Sequence, residues 1–405
     1  MTCRCRASAV RAQDPLCPHK KVNAYSGSTN SVPAGAFRGY GLGQVVFAVE
    51  SVMDELARRT GVDPLVFREL NIIGPGEHMI SPGGEEEDLE IASYGLDQCL
   101  QVVRDAIAQD GGGPGSPAGS GPGSPNGSGP GGDVPDGWLV GQGTGMSMIA
   151  TGPPGGHFAD ATVKLLQDGT YDIAVGTAEF GNGTTTVHKQ ITAGALSTTV
   201  DRIAIRQSDT DVVRHDTGAF GSAGTVVAGK AVMKAADALA VQLLDFAAEY
   251  LGAAAPGECR LTADAVECAG RVVSLKELFQ AARAAGRELS ADGHWGGSPR
   301  SVAFNAQWFR LAVDPGTGEI RILRSVHAAD AGKVMNPMQC RGQVEGGVVQ
   351  ALGATLFENV RLDERGEVTT AAFRRYRCRS TPMCRVPRCT SWRPRTRSAR
   401  WARSR

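Results

Sequence analysis

The sequence predicts an α+β fold, because it contains both helical and strand patterns, and the strands are predicted only after residue 137. After Gln44, apolar residues recur every three or four positions as far as Leu56, which is typical of an amphipathic helix. From Trp138 onwards, short apolar runs separated by turn sequences predict strands. In addition, three glycine-rich segments near residues 181, 222 and 343 each precede a predicted helix. Amide groups at a helix start favour anions, so these segments suggest a shared anionic ligand.

Composition limits the class of protein. The chain has 405 residues, enough for two or three domains, and contains no run of 18 apolar residues that could span a membrane. Its net charge of zero hides a segment from Arg374 to Arg405 with 12 arginines and no acid, which leaves 30 basic against 42 acidic residues elsewhere. The ten cysteines form no CxxC pair, and Cys3 and Cys5 are too isolated to indicate a metal site. We therefore expect a cytoplasmic protein with reduced cysteines, no membrane segment and no metal ligand of its own.

The most informative stretch is the loop from Pro33 to Gln44, in which Arg38 stands among four glycines. Glycine lets the backbone approach a bound group closely. The guanidinium of Arg38 is a planar, permanently charged donor suited to oxyanions and polar heterocycles, and Tyr40 adds a flat aromatic face. A tight turn without a ligand is the alternative explanation. The loop predicts a binding site that opens onto a helix start.

Elsewhere in the first 136 residues the pattern is simpler. Residues 1–21 show no periodicity, so we expect an irregular start. Asp63 and Pro64 are typical of an N-cap and a first helical turn, and a further helix is predicted near residues 96–108. Residues 111–136 are almost wholly Gly, Pro, Ser and Asn, which predicts a flexible linker.

Hairpins and helices alternate in the second half. Asp168-Gly169 separates two apolar runs and is a strong hairpin signal. A second pair of strands is predicted around the turn Asp314 to Gly318. Further helices are predicted over residues 225–251 and 274–285, and a further strand over residues 200–207.

The three glycine-rich segments carry polar side chains that suit a ligand. Ser222 either caps the helix that follows it or donates to a phosphate. Gln343 offers both a donor and an acceptor at its predicted helix start. No Walker A sequence is present, and Gly141 to Gly145 lacks a dinucleotide fingerprint. The segments therefore do not indicate an ordinary nucleotide site.

These segments also carry a family resemblance. The loop Pro33 to Gln44 resembles the AFRG(F/Y)G loop of the molybdenum-binding subunit of the xanthine dehydrogenase and aldehyde oxidase family, and the similarity continues as far as Asn71. The later segments resemble, in the family's order, its GxExGQG motif, its serine-containing phosphate-contact loop and its GQxEGG motif. The resemblance implies the family's molybdopterin-binding domain architecture. Part of a first domain would occupy 22–110 and a second domain 137–376, with 111–136 between them and 377–405 outside the fold.

The same resemblance implies roles for residues. Arg38 would orient or polarise the substrate and Tyr40 would stack on it, which makes them the catalytic candidates. The cofactor would be molybdopterin with molybdenum, or its cytosine dinucleotide. Asn182 stands where the family has glutamine, so its reach is shorter. The implied cofactor-binding residues are Gly39, Phe180, Gly181, Asn182, Gly183, Ser222 and Gln343.

The implied activity is oxidative hydroxylation of an aldehyde or a purine-like aromatic N-heterocycle, with water as the oxygen source. Electrons would leave through iron–sulfur and FAD subunits or domains, and the complete enzyme would be oligomeric. No nucleic acid and no membrane is expected as a partner. The alternative is a non-catalytic molybdopterin-binding or scaffold remnant.

Two departures from the family pattern qualify this expectation. The family's general-base glutamate follows its FRxYRxP segment, but after Phe373 to Arg377 this chain contains no carboxylate. Glu179, Glu345 and Glu358 do not match that position. The chain also lacks the family's long segment before the arginine loop, so we expect a C-terminal fragment that is inactive alone.

We interpret the Arg-rich tail as out-of-frame translation after about Arg377, because the resemblance and the composition change together there. A nucleic-acid-binding arm is the alternative. Resequencing the gene across Arg377 checks this interpretation, and an unambiguous unshifted reading frame would contradict it.

Overall fold

The computed structural model describes residues 37–75, 77, 89–110, 134–152, 156–252, 256–296 and 300–378, together with residues 23, 25, 27, 28 and 35. The predicted irregular start, most of the predicted linker and nearly all of the Arg-rich tail lie outside these ranges. Within the ranges, none of the helices is both long enough and apolar enough to cross a bilayer.

The main elements are listed here in chain order. They are α1 (Leu42–Thr60), α2 (Pro64–Glu69), β1 (Leu89–Glu90), α3 (Leu96–Gln109), β2 (Leu139–Ala150), β3 (Phe158–Leu165), β4 (Tyr171–Val175), α4 (Thr184–Ala195), β5 (Ile203–Gln207), α5 (Gly229–Leu251), β6 (Cys259–Leu261), β7 (Ala265–Cys268), β8 (Arg271–Ser274), α6 (Leu275–Ala284), β9 (Ser290–Gly296), β10 (Arg300–Val313), β11 (Ile320–Asp330) and α7 (Pro337–Leu356). A π-helical turn, Gly224–Ala228, leads directly into α5.

The first sheet is organised around β10. This strand pairs antiparallel with β2 and with β11, and its first residues pair parallel with β1. Along β10, Phe304, Ala306 and Trp308 alternate inward and are almost completely buried, as the two-residue period of a strand requires. They pack with α2 and α3, so residues from both sides of the predicted linker share one core.

The second sheet has the strand order β5-β4-β3-β9. β3 and β4 form the predicted hairpin, with Gly169 at a φ of 78° in the turn. β5 lies parallel to β4, and α4 lies in the crossover between them. Helix α5 lies directly on the backbone of β9, because a Cβ at Gly293 would stand 2.1 Å from the carbonyl oxygen of Ala231. This close approach explains why α5 is so rich in alanine.

The small third sheet, β6-β7-β8, corrects one expectation. Cys259 and Cys268 are directly opposed in the β6–β7 ladder and form a disulfide, whereas the sequence predicted reduced cysteines. The two cysteines are nine positions apart, so no CxxC spacing signalled the pair.

Helix α7 corrects a second expectation. It begins at Pro337, where Asn336 is the N-cap and its side chain accepts the Gln339 amide at 3.0 Å. Gln343 therefore lies inside the helix and not at its start. Asparagine followed by proline is a strong helix start, so α7 begins before the glycines that were expected to precede it.

A buried ion pair fixes α1 against the first sheet. Arg68 in α2 has no exposed surface, and its Nε lies 2.7 Å from Glu50 Oε2 while its Nη1 lies 2.8 Å from Asp54 Oδ1. The Glu50 carboxylate also accepts the backbone amide of Met146 at 3.1 Å. These contacts join α1, α2 and β2 at a single point.

Replacing Arg68 with methionine should destabilise the protein by roughly 3–5 kcal/mol, because the Glu50 carboxylate would remain buried without its cation. The matched control is Arg260→Met, which removes an exposed ion pair with Glu267 and should cost less than about 1 kcal/mol. Urea unfolding of both variants measures the difference. Equal losses of stability would show that the buried ion pair contributes no more to stability than the exposed one.

Candidate functional site

The predicted arginine loop is a tight turn. The Tyr40 amide donates to the Phe37 carbonyl at 2.7 Å, and Gly39, Tyr40 and Gly41 have φ angles of 90°, 38° and 79°. Tyr40 is thus a non-glycine residue in the left-handed region, which is uncommon and is found where the surroundings impose it. Its ring is 61% exposed. The turn ends at the start of α1.

Arg38 joins this turn to the other predicted segments. Its Nη2 donates to the Gln343 carbonyl at 2.7 Å and to the Gln343 Oε1 at 3.1 Å. Gln343 Nε2 in turn donates to the Gly181 carbonyl at 3.4 Å. On the other side, Gln350 Nε2 donates to the Arg38 carbonyl at 3.2 Å. Three of the predicted site residues are therefore connected by direct hydrogen bonds.

Two glycines of α7 lie beside the guanidinium of Arg38. A Cβ at Gly346 would lie 3.4 Å from Arg38 Nη1, and one at Gly347 would lie 3.8 Å from Arg38 Cζ. These are ordinary van der Waals distances, so the guanidinium lies against this face of α7 but does not by itself require glycine there. The Gly-Gly pair lies inside α7 and does not mark its start.

The loop before α4 is organised by Glu179. Its Oε1 accepts the amides of Gly181 and Gly183 at 2.7 and 3.1 Å. Its Oε2 accepts the Thr185 amide at 3.0 Å and the Thr184 hydroxyl at 3.3 Å. Burial, the largest single influence, raises the pKa of Glu179, but the hydrogen bonds together outweigh it and hold the pKa below its ordinary value. The group is therefore a carboxylate at neutral pH.

The other predicted residues of this loop, Phe180, Asn182 and Gly183, differ in exposure and in their contacts. Asn182 Oδ1 accepts the Thr184 hydroxyl at 3.1 Å, and its Nδ2 donates to the Ala178 carbonyl at 3.4 Å, so its amide group bonds within the loop. Phe180 is 67% exposed. Gly183, with a φ of 84°, is the N-cap of α4.

The Ser222 segment is tied to the Glu179 loop through its aspartate. Asp216 accepts the Thr177 hydroxyl at 2.9 Å and the Gly218 amide at 2.8 Å. Ser222 has a φ of 59°, and no described side chain caps the π-helical turn or α5 that follow it. The capping role proposed for Ser222 is therefore not observed.

Together these contacts bring the four predicted segments to one place. Arg38, Gly181 and Gln343 are bonded in series, and the bond between Thr177 and Asp216 adds the segment that carries Ser222. Beside them, the buried Oε1 of Gln339 has no hydrogen-bond partner among the described residues, and it lies 2.9 Å from where a Cβ of Gly183 would stand. This unsatisfied acceptor and the glycine cradle fit a ligand that carries hydrogen-bond donors. No group of three or more metal-ligating side chains is found in the described ranges.

Comparison with known proteins identifies the family. A family model described as a molybdopterin cofactor-binding domain matches residues 133–382, and a second model with the same description matches residues 16–72. The chain belongs to the xanthine dehydrogenase and aldehyde oxidase family of molybdopterin-dependent oxidoreductases. The cofactor of these domains is molybdopterin.

Two relatives illustrate the match. The putative xanthine dehydrogenase molybdenum-binding subunit XdhA of Escherichia coli (strain K12) is 31% identical over 85% of this chain and 45% of its own length. The gamma subunit of the 6-hydroxypseudooxynicotine dehydrogenase complex of Paenarthrobacter nicotinovorans is 30% identical over 86% of this chain and 43% of its own. The chain therefore spans a little under half the length of the curated relatives it matches.

Solved structures of the family share the fold. CO dehydrogenase from Oligotropha carboxidovorans superimposes with a TM-score of 0.72 at 22% identity, over 88% of this chain and 45% of that one. Quinoline 2-oxidoreductase from Pseudomonas putida 86 gives a TM-score of 0.72 at 23% identity, over 89% and 46% of the two chains. The predicted α+β molybdopterin-binding architecture is thus confirmed.

Sequence reasoning missed several residues that hold the candidate site together. Thr177, Asp216 and Gln339 join segments that are distant in the chain, and no local pattern marks such contacts. Glu179 did have a local signal, because an acid just before a Gly-x-Gly helix start can reach the first amides. Glu345 forms an i,i+4 pair with Arg341, and Glu358 accepts the Tyr376 hydroxyl, so both have structural partners.

Gly183→Ala should destabilise the protein more than an alanine at another left-handed glycine. Gly252→Ala is the control, because Gly252 has a φ of 64° but nothing within 4 Å of the added Cβ. We expect the control to cost about 1 kcal/mol for backbone strain. Gly183→Ala should lose about 1 kcal/mol more, because the added Cβ meets the end of the Gln339 side chain, which must shift.

Adding Gln339→Ala should recover that excess, since the double variant removes the group that the new methyl meets. Thermal or urea unfolding of the single and double variants measures this coupling. Additive losses would mean that α7 and the α4 loop do not pack together at this point.

Proposed function

We propose that this chain forms the cofactor-holding part of a molybdenum hydroxylase that acts on an aldehyde or a purine-like aromatic N-heterocycle, with water as the oxygen source. The observation that carries the proposal is the direct connection of Arg38 through Gln343 to Gly181. These residues come from segments more than 140 positions apart, and each segment resembles a family motif that lies beside the cofactor.

The chain's own residues would bind and orient. Gly39, Phe180, Gly181, Asn182, Gly183, Ser222 and Gln343 are the proposed holders of molybdopterin with molybdenum, or of its cytosine dinucleotide. When bound, that group supplies the redox centre for hydroxylation. Arg38 would hold the substrate through its charged donors, and Tyr40 would offer its exposed ring for stacking.

The proposed classes of substrate are taken from the names of the relatives. Their names include a xanthine dehydrogenase subunit, a nicotine 6-hydroxylase large subunit and an aldehyde oxidoreductase subunit. An aromatic ring with polar edges fits a site that combines an arginine with exposed aromatic side chains. The shared chemistry of these substrates is an electron-poor carbon next to a heteroatom.

Partners would complete the enzyme. We propose iron–sulfur and FAD subunits or domains for electron transfer, an oligomeric complete enzyme and a cytoplasmic location. The exposure of helix α7 favours a further partner that covers it. Only Gly353 is buried among residues 337–378. Yet α7 carries just two charged side chains, Arg341 and Glu345, which pair with each other. A helix with two charged side chains in 20 residues and only one buried residue is normally covered by a neighbour.

We propose that the chain is inactive on its own. None of Glu179, Glu345 and Glu358 matches the position of the family's general base, and each takes part in a local structural hydrogen bond. The same observation favours the alternative function, a non-catalytic molybdopterin-binding or scaffold protein.

Expression in a host that makes molybdopterin tests the proposal. We expect pterin to copurify with the full chain, as measured by pterin fluorescence after acid release and oxidation. Gln343→Ala should lower the pterin content about tenfold, because its two hydrogen bonds join the segments of the site. Gln101→Ala is the control, since the Gln101 side chain bonds to Asp105 on the surface of α3, away from the candidate site.

Neither benzaldehyde nor hypoxanthine should be oxidised by the chain alone with an artificial electron acceptor. Folded protein without pterin would contradict cofactor binding. Turnover by the isolated chain would contradict the proposed inactivity.

A further inference from the structure

The start of α4 already holds an anion. Amides at a helix start usually bind water, a cap or a negatively charged ligand. Here the carboxylate of Glu179 accepts the amides of Gly181, Gly183 and Thr185 at 2.7–3.1 Å. The Thr184 hydroxyl completes the set at 3.3 Å. These backbone amides were predicted to bind an external anion, but in the structure they donate to the Glu179 carboxylate.

The arrangement has two physical consequences. The Glu179 carboxylate is held by three amides and by the Thr184 hydroxyl, whose single proton is shared with Asn182 Oδ1. A phosphate at these amides would have to displace this carboxylate, or it would meet a like charge. At the same time the amides are turned towards Glu179, whereas the Gly181 carbonyl accepts from Gln343 Nε2 at 3.4 Å. The loop therefore presents a hydrogen-bond acceptor to Gln343, which in turn accepts from Arg38.

We infer that Glu179 is a positioning residue that fixes the loop from Phe180 to Gly183 and excludes phosphate from the start of α4. A ligand that meets this loop does so through neutral hydrogen-bonding groups. The consequence for molybdopterin binding rests on the proposed function.

Anion exclusion can be tested without cofactor. Titration of the isotopically labelled full chain with inorganic phosphate, followed by NMR of the amides of Gly181, Gly183 and Thr185, should give no saturable shift. Glu179→Ala should give saturable shifts at the same three amides, because their acceptor is gone. Glu345→Ala, which removes a carboxylate of α7 that pairs with Arg341, should behave like the wild type.

Hydrogen exchange tests the positioning role. In Glu179→Ala all three amides should exchange at least about tenfold faster than in the wild type, the effect expected from losing charge-assisted hydrogen bonds. In Glu179→Gln one acceptor oxygen remains, so only part of the set should exchange faster. This near-isosteric variant also serves if the alanine variant does not fold.

Pterin content provides the link to the proposed function. Glu179→Ala should retain about tenfold less pterin than the wild type, with an unchanged circular dichroism spectrum, and Glu179→Gln should retain an intermediate amount. Phosphate shifts at the three wild-type amides, or unchanged exchange in Glu179→Ala, would overturn the inference. A wild type without pterin would remove the proposed function, while the phosphate and exchange results would still decide the role of Glu179.

Discussion

The buried contact between Arg68 and Glu50 determines where the candidate site can form. Taking both charges out of water is costly, and the cost is offset only because the Glu50 carboxylate also accepts the Met146 amide while Arg68 reaches Asp54. This network holds α1 against β2 and α2. The turn that carries Arg38 immediately precedes α1, so the position of the guanidinium follows from an ion pair more than two helical turns away.

The far side of the site is held much more weakly. Helix α7 buries only Gly353 and is attached mainly through polar contacts, among them Gln343 with Gly181 and Asn336 with Gln190 at 3.4 Å. Elements with few buried apolar contacts open at low free energy. Arg38 bonds to both Gln343 and Gln350 of α7. It therefore connects the firmly packed helix α1 to the weakly packed helix α7.

The sequence predicted the local features well and the long-range ones poorly. Asp63 caps α2 through the amides of Leu65 and Val66, and Asp168-Gly169 forms the expected hairpin turn, because each signal lies within four residues. The Cys259–Cys268 disulfide was missed because it depends on strand register and not on spacing. The family resemblance named segments that the structure brings together, but the bonds between them, such as Thr177 to Asp216, have no local signature.

The three glycine-rich segments looked equivalent in sequence, yet the structure gives each a different chemistry. The start of α4 is filled by Glu179, and the start of α7 is capped by Asn336 before the glycines are reached. Only the start after Ser222, among these three, lacks a described side-chain cap. Of the three segments, the one that carries Ser222 therefore remains the candidate for binding an anion. It is also the segment that resembles the family's phosphate-contact loop. Glycine content shows where the backbone can approach a ligand, but the neighbouring carboxylates and amides decide whether that ligand can be charged.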